Sequence, residues 1–209
     1  MLEIIVLASG RGSNLAAIQE AIESGYLKGN IRAVISDNKG AAALAYAEGK
    51  GINAIWIDPA GDGGRRAYEE RMLQEVLRIG SDCLVLAGYR LILGEGFIRG
   101  YGKPITNIHP ALLPSFPGLT AQRDALAYGV KYSGCTVHFV DEGMDTGPII
   151  AQRPAPVYEY DDEESLSARI LAEEHKLYPE VLALMAQGRI HVIEKKVYID
   201  LLDERYIRL

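Results

Sequence analysis

The chain opens with an apolar run followed by apolar positions at helical spacing. Residues 4–8 form a near-continuous apolar run with β-branched side chains, which is typical of a strand buried on both faces. Leu15, Ile18 and Ile22 then recur at helical spacing, and the repeat ends near Gly25. The pattern therefore predicts a strand, a glycine-containing loop and a helix, in that order.

The same alternation continues to about residue 110. The predicted strands cover residues 31–35, 53–57, 83–87 and 105–108, and the predicted helices cover residues 41–48 and the stretch with Tyr68, Met72, Val76 and Ile79 that Gly80 closes. Alternating strands and helices favour a doubly wound parallel α/β sheet. In such a sheet the functional loops lie at the carboxyl ends of the strands.

The pattern changes after residue 120. The sequence predicts a short helix over 121–128, strands over 135–140 and 149–152, a long helix from the acidic run 161–164 to Gly188, and a hairpin over 190–201. The acidic run is explained by its position, because negative charge is stabilised at the start of a helix. We therefore expect an α/β fold with a doubly wound, mostly parallel sheet and an antiparallel C-terminal portion.

The 209 residues have an ordinary globular composition with an acidic balance. Hydrophobic residues make up 48% and charged residues 24%, and the formal net charge of -6 offers no basic surface for nucleic acid. The amino terminus lacks the charged region of a signal peptide, and no apolar run reaches membrane-spanning length. Cys83 and Cys135 lie in apolar runs, which suits buried thiols in a reducing compartment. We expect a cytoplasmic protein that binds small molecules.

The loop after the first strand reads Ser-Gly-Arg-Gly-Ser-Asn-Leu over residues 9–15. In a strand–loop–helix unit of this kind, the free N–H groups of the loop and the positive end of the helix dipole point to the same place. This arrangement suits a phosphate. The first two glycines match the dinucleotide fingerprint, but Leu15 stands at its third position, so one phosphate is expected rather than a pyrophosphate. The alternative is that Ser13 or Asn14 merely caps the helix.

The stretch from Asn107 to Gly118 carries the strongest chemical signal. Asn107 and His109 stand two residues apart at a strand end, so their side chains point to the same side, and three prolines stiffen the loop that follows. Asp145, in the glycine-rich loop 141–148, is the candidate for orienting His109. The alternatives are that Asn107 and Asp145 only form turns and that His109 is a half-buried, hydrogen-bonded residue.

Arg65 lies in the first turn of a predicted helix, where the helix dipole does not favour a cation. We therefore expect it to reach an anion, although a solvated position is the alternative and is favoured for Arg66. The four histidines and two cysteines show no spacing typical of metal ligands, so no metal is expected.

Four motifs together resemble the phosphoribosylglycinamide formyltransferases, the folate-dependent transformylases of purine synthesis. They are Gly-Ser-Asn-Leu at 12–15, Asn-Ile-His-Pro at 107–110 followed by Leu-Leu-Pro, His-Phe-Val at 138–140 and Asp-Thr-Gly-Pro at 145–148. The resemblance runs from about residue 3 to about residue 190. It implies a Rossmann-like formyltransferase fold in a single domain, 1–209, with a nucleotide-phosphate half over 1–105 and a catalytic and folate half over 106–209.

The resemblance also implies roles for individual residues. The catalytic set is Asn107, His109 and Asp145; the substrate set is Gly12, Ser13, Asn14, Arg65 and Glu174; the folate set is Tyr89, Arg90, Leu91, Ile92, Leu93 and Asp141. Two positions depart from the family. A histidine that often follows the Pro-Gly pair is absent from residues 119–123, and the folate-segment arginine, Arg90, stands one position early.

The reaction implied is formyl transfer from 10-formyltetrahydrofolate to the amine of glycinamide ribonucleotide, giving formylglycinamide ribonucleotide in de novo purine biosynthesis. The alternatives are a 10-formyltetrahydrofolate hydrolase, another formyl-folate-dependent formyltransferase, or a nucleotide-binding module without catalysis. The expected partners are these small molecules, with no nucleic acid and no membrane, and a homodimer is left open. Because a carboxylate beside an imidazole favours its charged form, we also expect a raised pKa for His109.

Overall fold

The computed structural model describes residues 1–61 and 63–200. Within these ranges the strands are β1 (Leu2–Leu7), β2 (Gly29–Ser36), β3 (Asn53–Trp56), β4 (Cys83–Leu86), β5 (Ile105–His109), β6 (Tyr132–Phe139), β7 (Ile149–Pro156), β8 (Ile190–Ile193) and β9 (Lys196–Ile199). The helices in the same ranges are α1 (Ser13–Glu23), α2 (Ala42–Gly49), α3 (Gly64–Ile79), α4 (Glu95–Tyr101), α5 (Ala121–Tyr128) and α6 (Glu163–Ala186).

The strands form a mostly parallel sheet with an antiparallel C-terminal part. Its order over the described residues is β3-β2-β1-β4-β5-β6-β7, and β8 and β9 form a separate two-stranded sheet. The order reverses direction at β1, as in doubly wound folds. The predicted α/β class is therefore confirmed.

The chain divides into two compact units, Met1–Thr106 and the part from Asn107 onward. In the first unit β1 pairs in parallel with β2 and β4, and β2 pairs in parallel with β3. All four residues of β4 are buried and β1 is nearly so, which explains their continuous apolar sequences. On α3 the buried side chains are Tyr68, Met72 and Val76, three of the four apolar positions that the sequence predicts.

In the second unit β6 and β7 pair antiparallel, and α6 packs against both strands. The start of α6 has a capping box, because the Asp162 carboxylate accepts the Ser165 N–H at 2.8 Å while Ser165 Oγ accepts the Asp162 N–H at 3.1 Å. The hydrogen bond from Arg169 holds the pKa of Asp161 well below its usual range. The acidic run before α6 therefore has the structural role that the sequence predicts.

The predicted elements are observed, mostly with ends shifted by one to four residues. One element, α4, is absent from the sequence prediction. Its sequence contains two glycines, which are poor helix formers, so local propensity does not predict it. The hairpin is observed over 190–199, and the last residue of its predicted range, Leu201, lies outside the described residues. In the described ranges no helix is long and apolar enough to cross a membrane.

Both cysteines are buried and unbridged. Cys83 lies on β4 in the first unit and Cys135 on β6 in the second. Burial raises the pKa of the Cys83 thiol to about 12. Burial, together with the nearby Glu174 carboxylate, raises the pKa of Cys135 to about 12 as well.

Truncating a buried leucine of α6 should destabilise the protein. Leu177 is 0% exposed, so Leu177→Ala removes apolar contacts and leaves a cavity, at a cost of about 2–5 kcal/mol in the free energy of unfolding. Leu77 on α3 is 54% exposed, and Leu77→Ala should change it by less than about 0.5 kcal/mol. Urea unfolding followed by circular dichroism measures both, and equal losses would contradict the assigned burial.

Candidate active site

The end of β5 places two polar side chains in the second unit. Asn107 and His109 both belong to β5, and His109 is only 4% exposed. Its Nδ1 lies 3.3 Å from Asp145 Oδ2, and its Nε2 lies 2.8 Å from the carbonyl oxygen of Phe116. Both ring nitrogens therefore face oxygen acceptors, which an imidazolium satisfies and a neutral ring satisfies only on one side.

The expected direction of the His109 pKa shift is wrong. Burial lowers the pKa of His109, and this effect outweighs the Asp145 charge and the Phe116 carbonyl, which both raise it. The neighbouring His138 ring lowers it further. The Asp145 carboxylate alone would favour the charged ring, but the loss of solvent around the buried ring disfavours it by more.

Asp145 is held in place by its backbone and by its partners. It has φ 55°, an uncommon left-handed conformation for a residue other than glycine. Its Oδ2 accepts the Gly118 N–H at 2.8 Å. Burial acts to raise the pKa of Asp145, but the His138 side chain, the Gly118 N–H and the His109 ring lower it by more, so the carboxylate stays ionised. A turn residue alone would not need these long-range partners.

Two side chains of the β6–β7 pair fix the loop that follows His109. Thr136 Oγ1 donates to the Ala111 carbonyl at 2.6 Å and accepts the Leu113 N–H at 3.1 Å. Gln152, the register partner of Thr136, donates to the Leu113 carbonyl at 2.8 Å and to Thr136 Oγ1 at 2.9 Å. These bonds satisfy the buried backbone of the loop and so fix its path beyond His109.

The site prediction from sequence missed His138. This residue is 2% exposed on β6, and its Nε2 lies 3.2 Å from Asn107 Nδ2 and 3.6 Å from Asp145 Oδ1. Its Nδ1 lies 2.8 Å from the Phe139 carbonyl oxygen. The signal available in the sequence was the His-Phe-Val motif at 138–140, which contributed to the resemblance but gave no role to the ring.

The glycine loop of the first unit begins α1 without a side-chain cap. The N-cap residue is Gly12, in a left-handed conformation with φ 77°, so the alternative in which Ser13 or Asn14 caps the helix does not hold. The first bond of the helix runs from the Ala16 N–H to the Gly12 carbonyl at 2.9 Å. The N–H groups of residues 13–15 precede this ladder and lie at the positive end of α1, where an anion is stabilised.

Arg65 and Glu69 of α3 bind the predicted folate segment within the first unit. Arg65 donates to the Ile92 carbonyl at 2.6 Å and to Glu69 Oε1 at 3.0 Å, and its side chain remains 64% exposed. Glu69 Oε1 also accepts the Gly94 N–H at 3.1 Å. Arg65 therefore contacts both a carboxylate and the backbone of residue 92, rather than being solvated alone.

The predicted folate segment has buried and exposed parts. The Tyr89 hydroxyl lies 2.6 Å from the Tyr68 hydroxyl, and burial raises its pKa above the usual range. Leu93 is 5% exposed, whereas Leu91 and Ile92 are 38% and 49% exposed. Arg90, the shifted arginine, is exposed, and its backbone N–H donates to Ser9 Oγ at 2.9 Å.

Two further predicted residues lie in the second unit. Asp141 holds its own loop, because Oδ1 accepts the Gly143 N–H at 3.1 Å and the Thr146 hydroxyl at 2.6 Å. Glu174 lies on α6 and is 7% exposed, which places a carboxylate in a buried setting. Among the described residues no group of histidine, cysteine or acidic side chains could hold a metal ion.

Comparison with known proteins adds the family. A formyl transferase sequence profile matches residues 2–182, which is most of the chain. The chain belongs to the formyl transferase family. Within this family it is 38% identical to phosphoribosylglycinamide formyltransferase of Escherichia coli, over 95% of this chain and 94% of that protein.

Solved structures agree with this family assignment. Glycinamide ribonucleotide transformylase 1 from Symbiobacterium toebii matches with a TM-score of 0.93 and 45% identity, over 95% of this chain and 94% of that one. A formyltetrahydrofolate deformylase from Pseudomonas syringae pv. tomato matches with a TM-score of 0.88 and 27% identity, and the match covers only 65% of that chain. The chain is therefore more similar to the transformylase than to this deformylase member of the formyl transferase family.

The lowered pKa of His109 should make stability depend on pH. In the window between this lowered value and the unfolded value of about 6.5, the unfolded chain binds more protons, so the free energy of unfolding falls as pH falls. His109→Gln removes the titrating ring and should flatten this slope. Urea unfolding at several pH values below about 7 measures the difference from the unsubstituted protein, and an unchanged slope would contradict the assignment.

Proposed function

We propose that this protein transfers the formyl group of 10-formyltetrahydrofolate to the amine of glycinamide ribonucleotide, in de novo purine biosynthesis. The observation that carries the proposal is the placement of Asn107, His109 and Asp145 within one unit, with the Asp145 carboxylate facing the buried His109 imidazole at 3.3 Å. Family membership and the similarity to named transformylases support the same reaction.

Asn107 and His109 are the proposed hydrogen-bond donors to the formyl oxygen. The substrate amine can attack the formyl carbon itself, so no covalent nucleophile is required, and the protein must stabilise the charge that develops on oxygen. Burial lowers the pKa of His109 and so favours the neutral ring when no ligand is bound. Negative charge beside the ring favours its protonated form, because an opposite charge raises a histidine pKa.

Asp145 is proposed to hold the imidazolium and to help move the proton from the amine to the leaving nitrogen of the folate, through water. Its carboxylate accepts the Gly118 N–H and faces the His109 ring, and both contacts favour the ionised form. A carboxylate at this position stabilises the His109 cation as it forms and fixes the orientation of the ring.

The two substrates are assigned to the remaining residues separately. The start of α1, with Gly12, Ser13 and Asn14, is proposed to bind the phosphate of the nucleotide, with Arg65 as a further cation and Glu174 meeting the substrate amine. The folate supplies the formyl group when it is bound. The exposed apolar side chains of the Tyr89–Leu93 segment fit an apolar ring system, and Asp141 orders the second predicted folate loop.

The competing reaction is hydrolysis of the formyl folate, since a deformylase shares the fold. The two reactions differ in the acceptor, which is water in one case and the nucleotide amine in the other. The glycine loop at α1 favours the nucleotide, because a hydrolase that uses water needs no phosphate site for its acceptor.

Removing a proposed donor should abolish useful turnover. We expect Asn107→Ala or His109→Ala to lower kcat by about 10²–10³-fold, the usual loss for one oxyanion donor. The assay follows 10-formyltetrahydrofolate consumption and product formation with glycinamide ribonucleotide present or omitted. Asn53→Ala, at an exposed position on β3, is the matched control and should keep the activity of the unsubstituted protein.

Each result of this assay is decisive. Consumption of the folate only when the nucleotide is present, with equal formation of product, supports the transferase. Consumption without the nucleotide indicates the hydrolase instead. Near-normal turnover in Asn107→Ala or His109→Ala would remove that residue from the catalytic set.

A methyl group at Gly12 should weaken nucleotide binding specifically. In Gly12→Ala the new Cβ would lie 2.9 Å from Cα and Cβ of Ala43, and φ is 77°, so the loop must shift. Gly25→Ala is a matched control, because φ is also 77° there but nothing lies within 4 Å. Both should lose about 1–2 kcal/mol of stability through the left-handed backbone. Only Gly12→Ala should raise KM for glycinamide ribonucleotide, and equal KM values would contradict the phosphate assignment.

A further inference from the structure

We propose that His138 is a positioning residue. Its ring is held in the neutral form that is protonated at Nδ1, and its Nε2 accepts an amide N–H of Asn107. The positive charge is then carried by His109. The inference rests on the proposed function for its kinetic consequences. Its structural basis is a chain of contacts within the second unit, from the Phe139 carbonyl through His138 to Asn107 and Asp145.

The tautomer of His138 follows from its backbone contact. Nδ1 lies 2.8 Å from the carbonyl oxygen of Phe139, and a carbonyl oxygen can only accept, so Nδ1 must carry the proton. In a neutral ring Nε2 then presents a lone pair. The nearest side-chain group is Asn107 Nδ2 at 3.2 Å, which donates to it.

This contact decides which way the Asn107 amide faces. Turned the other way, the carbonyl oxygen of Asn107 would meet the lone pair of His138 Nε2, and two acceptors would face each other in a buried site. With the amide nitrogen toward His138, one N–H is bound there. The second N–H of the same group is left to donate to substrate oxygen, which is the role proposed for Asn107.

The same contacts determine which of the two rings, His109 or His138, carries the positive charge. Asp145 faces both of them, through Oδ2 to His109 and through Oδ1 to His138 at 3.6 Å. The two rings repel each other when both are charged, so one cation is favoured. Both nitrogens of His109 have an oxygen acceptor within 3.3 Å, whereas the group nearest to His138 Nε2 is the Asn107 amide at 3.2 Å and Asp145 Oδ1 lies farther away. A second proton on His138 would oppose the Asn107 N–H, so the cation belongs to His109.

An irregularity in the sheet sets the direction of the His138 side chain. The β6–β7 register pairs Val137 with Ala151 but His138 with Ile149, so one residue of β7 is skipped at this point. Such bulges bend a strand and redirect side chains, and they are frequent beside functional sites. His138 and Thr136 stand two residues apart on β6, and Thr136 binds the loop after His109.

Two substitutions separate positioning from packing. In His138→Gln the Oε1 atom can occupy the place of Nε2 and accept the N–H of Asn107. In His138→Asn the side-chain N–H can replace Nδ1 and reach the Phe139 carbonyl, but no acceptor remains for Asn107. We expect His138→Asn to lower kcat by about 10²-fold with little change in KM, since a misplaced catalytic group costs about this much. His138→Gln should retain most of the turnover. His191→Asn, at an exposed histidine on β8, is the control and should lose none.

The kinetic effect must act through Asn107. In an Asn107→Ala background, His138→Asn should cause no further loss of kcat. Equal losses in His138→Asn and His138→Gln, a loss confined to KM, or a loss that persists in the Asn107→Ala background would each overturn the proposal. Thermal unfolding of every variant, followed by circular dichroism, separates these losses from misfolding.

A spectroscopic test needs no activity. ¹⁵N nuclear magnetic resonance of the histidine rings in the unsubstituted protein should show one ring protonated at Nδ1 and not at Nε2, and this signal should disappear in His138→Gln. If the ring whose signal disappears in His138→Gln is instead protonated at Nε2, the assignment is overturned. Absence of formyl transfer in the unsubstituted protein would instead overturn the proposed function, while the ring spectrum would still decide the tautomer.

Discussion

The second unit is organised around one ionised carboxylate, that of Asp145, with little water around it. Its two oxygens face two imidazoles and one backbone N–H, and the favourable interactions with these groups exceed the cost of burial. An unpaired charge is costly where water is largely excluded, and these partners offset that cost. Phe116 and Asp145 both adopt uncommon left-handed backbone conformations, which this set of contacts holds in place.

Rigidity around this carboxylate comes from neighbouring strands rather than from the loop itself. Thr136 and Gln152 are cross-strand partners, and together they bind the carbonyls of Ala111 and Leu113 and the N–H of Leu113. The pair Asn107 and His109 is fixed by its own strand, β5, and the loop that follows it is fixed by β6 and β7. These contacts restrict the movement of both side chains. This arrangement agrees with the general need for preorganised donors where charge develops during a reaction.

Strong periodicity and chemistry at strand ends made most of the fold and part of the candidate site predictable. Buried strands such as β4 and the apolar face of α3 follow directly from residue pattern. The helix α4 was not predictable, because its two glycines lower helix propensity and Gly100 allows close approach to Leu73 from α3. The pKa shift of His109 and the contacts of His138 depend on burial and on which strands are neighbours, and neither quantity can be read from residue spacing.

The two buried thiols, Cys83 and Cys135, can report local opening of the structure. The thiolate is the reactive form of cysteine, and with pKa values of about 12 both Cys83 and Cys135 are almost entirely protonated at neutral pH. Burial also denies access to a modifying reagent. A thiol reagent therefore reacts only when the surrounding structure opens. Since one cysteine lies in each compact unit, the rates of modification at the two positions report the opening of each unit separately, without any added label.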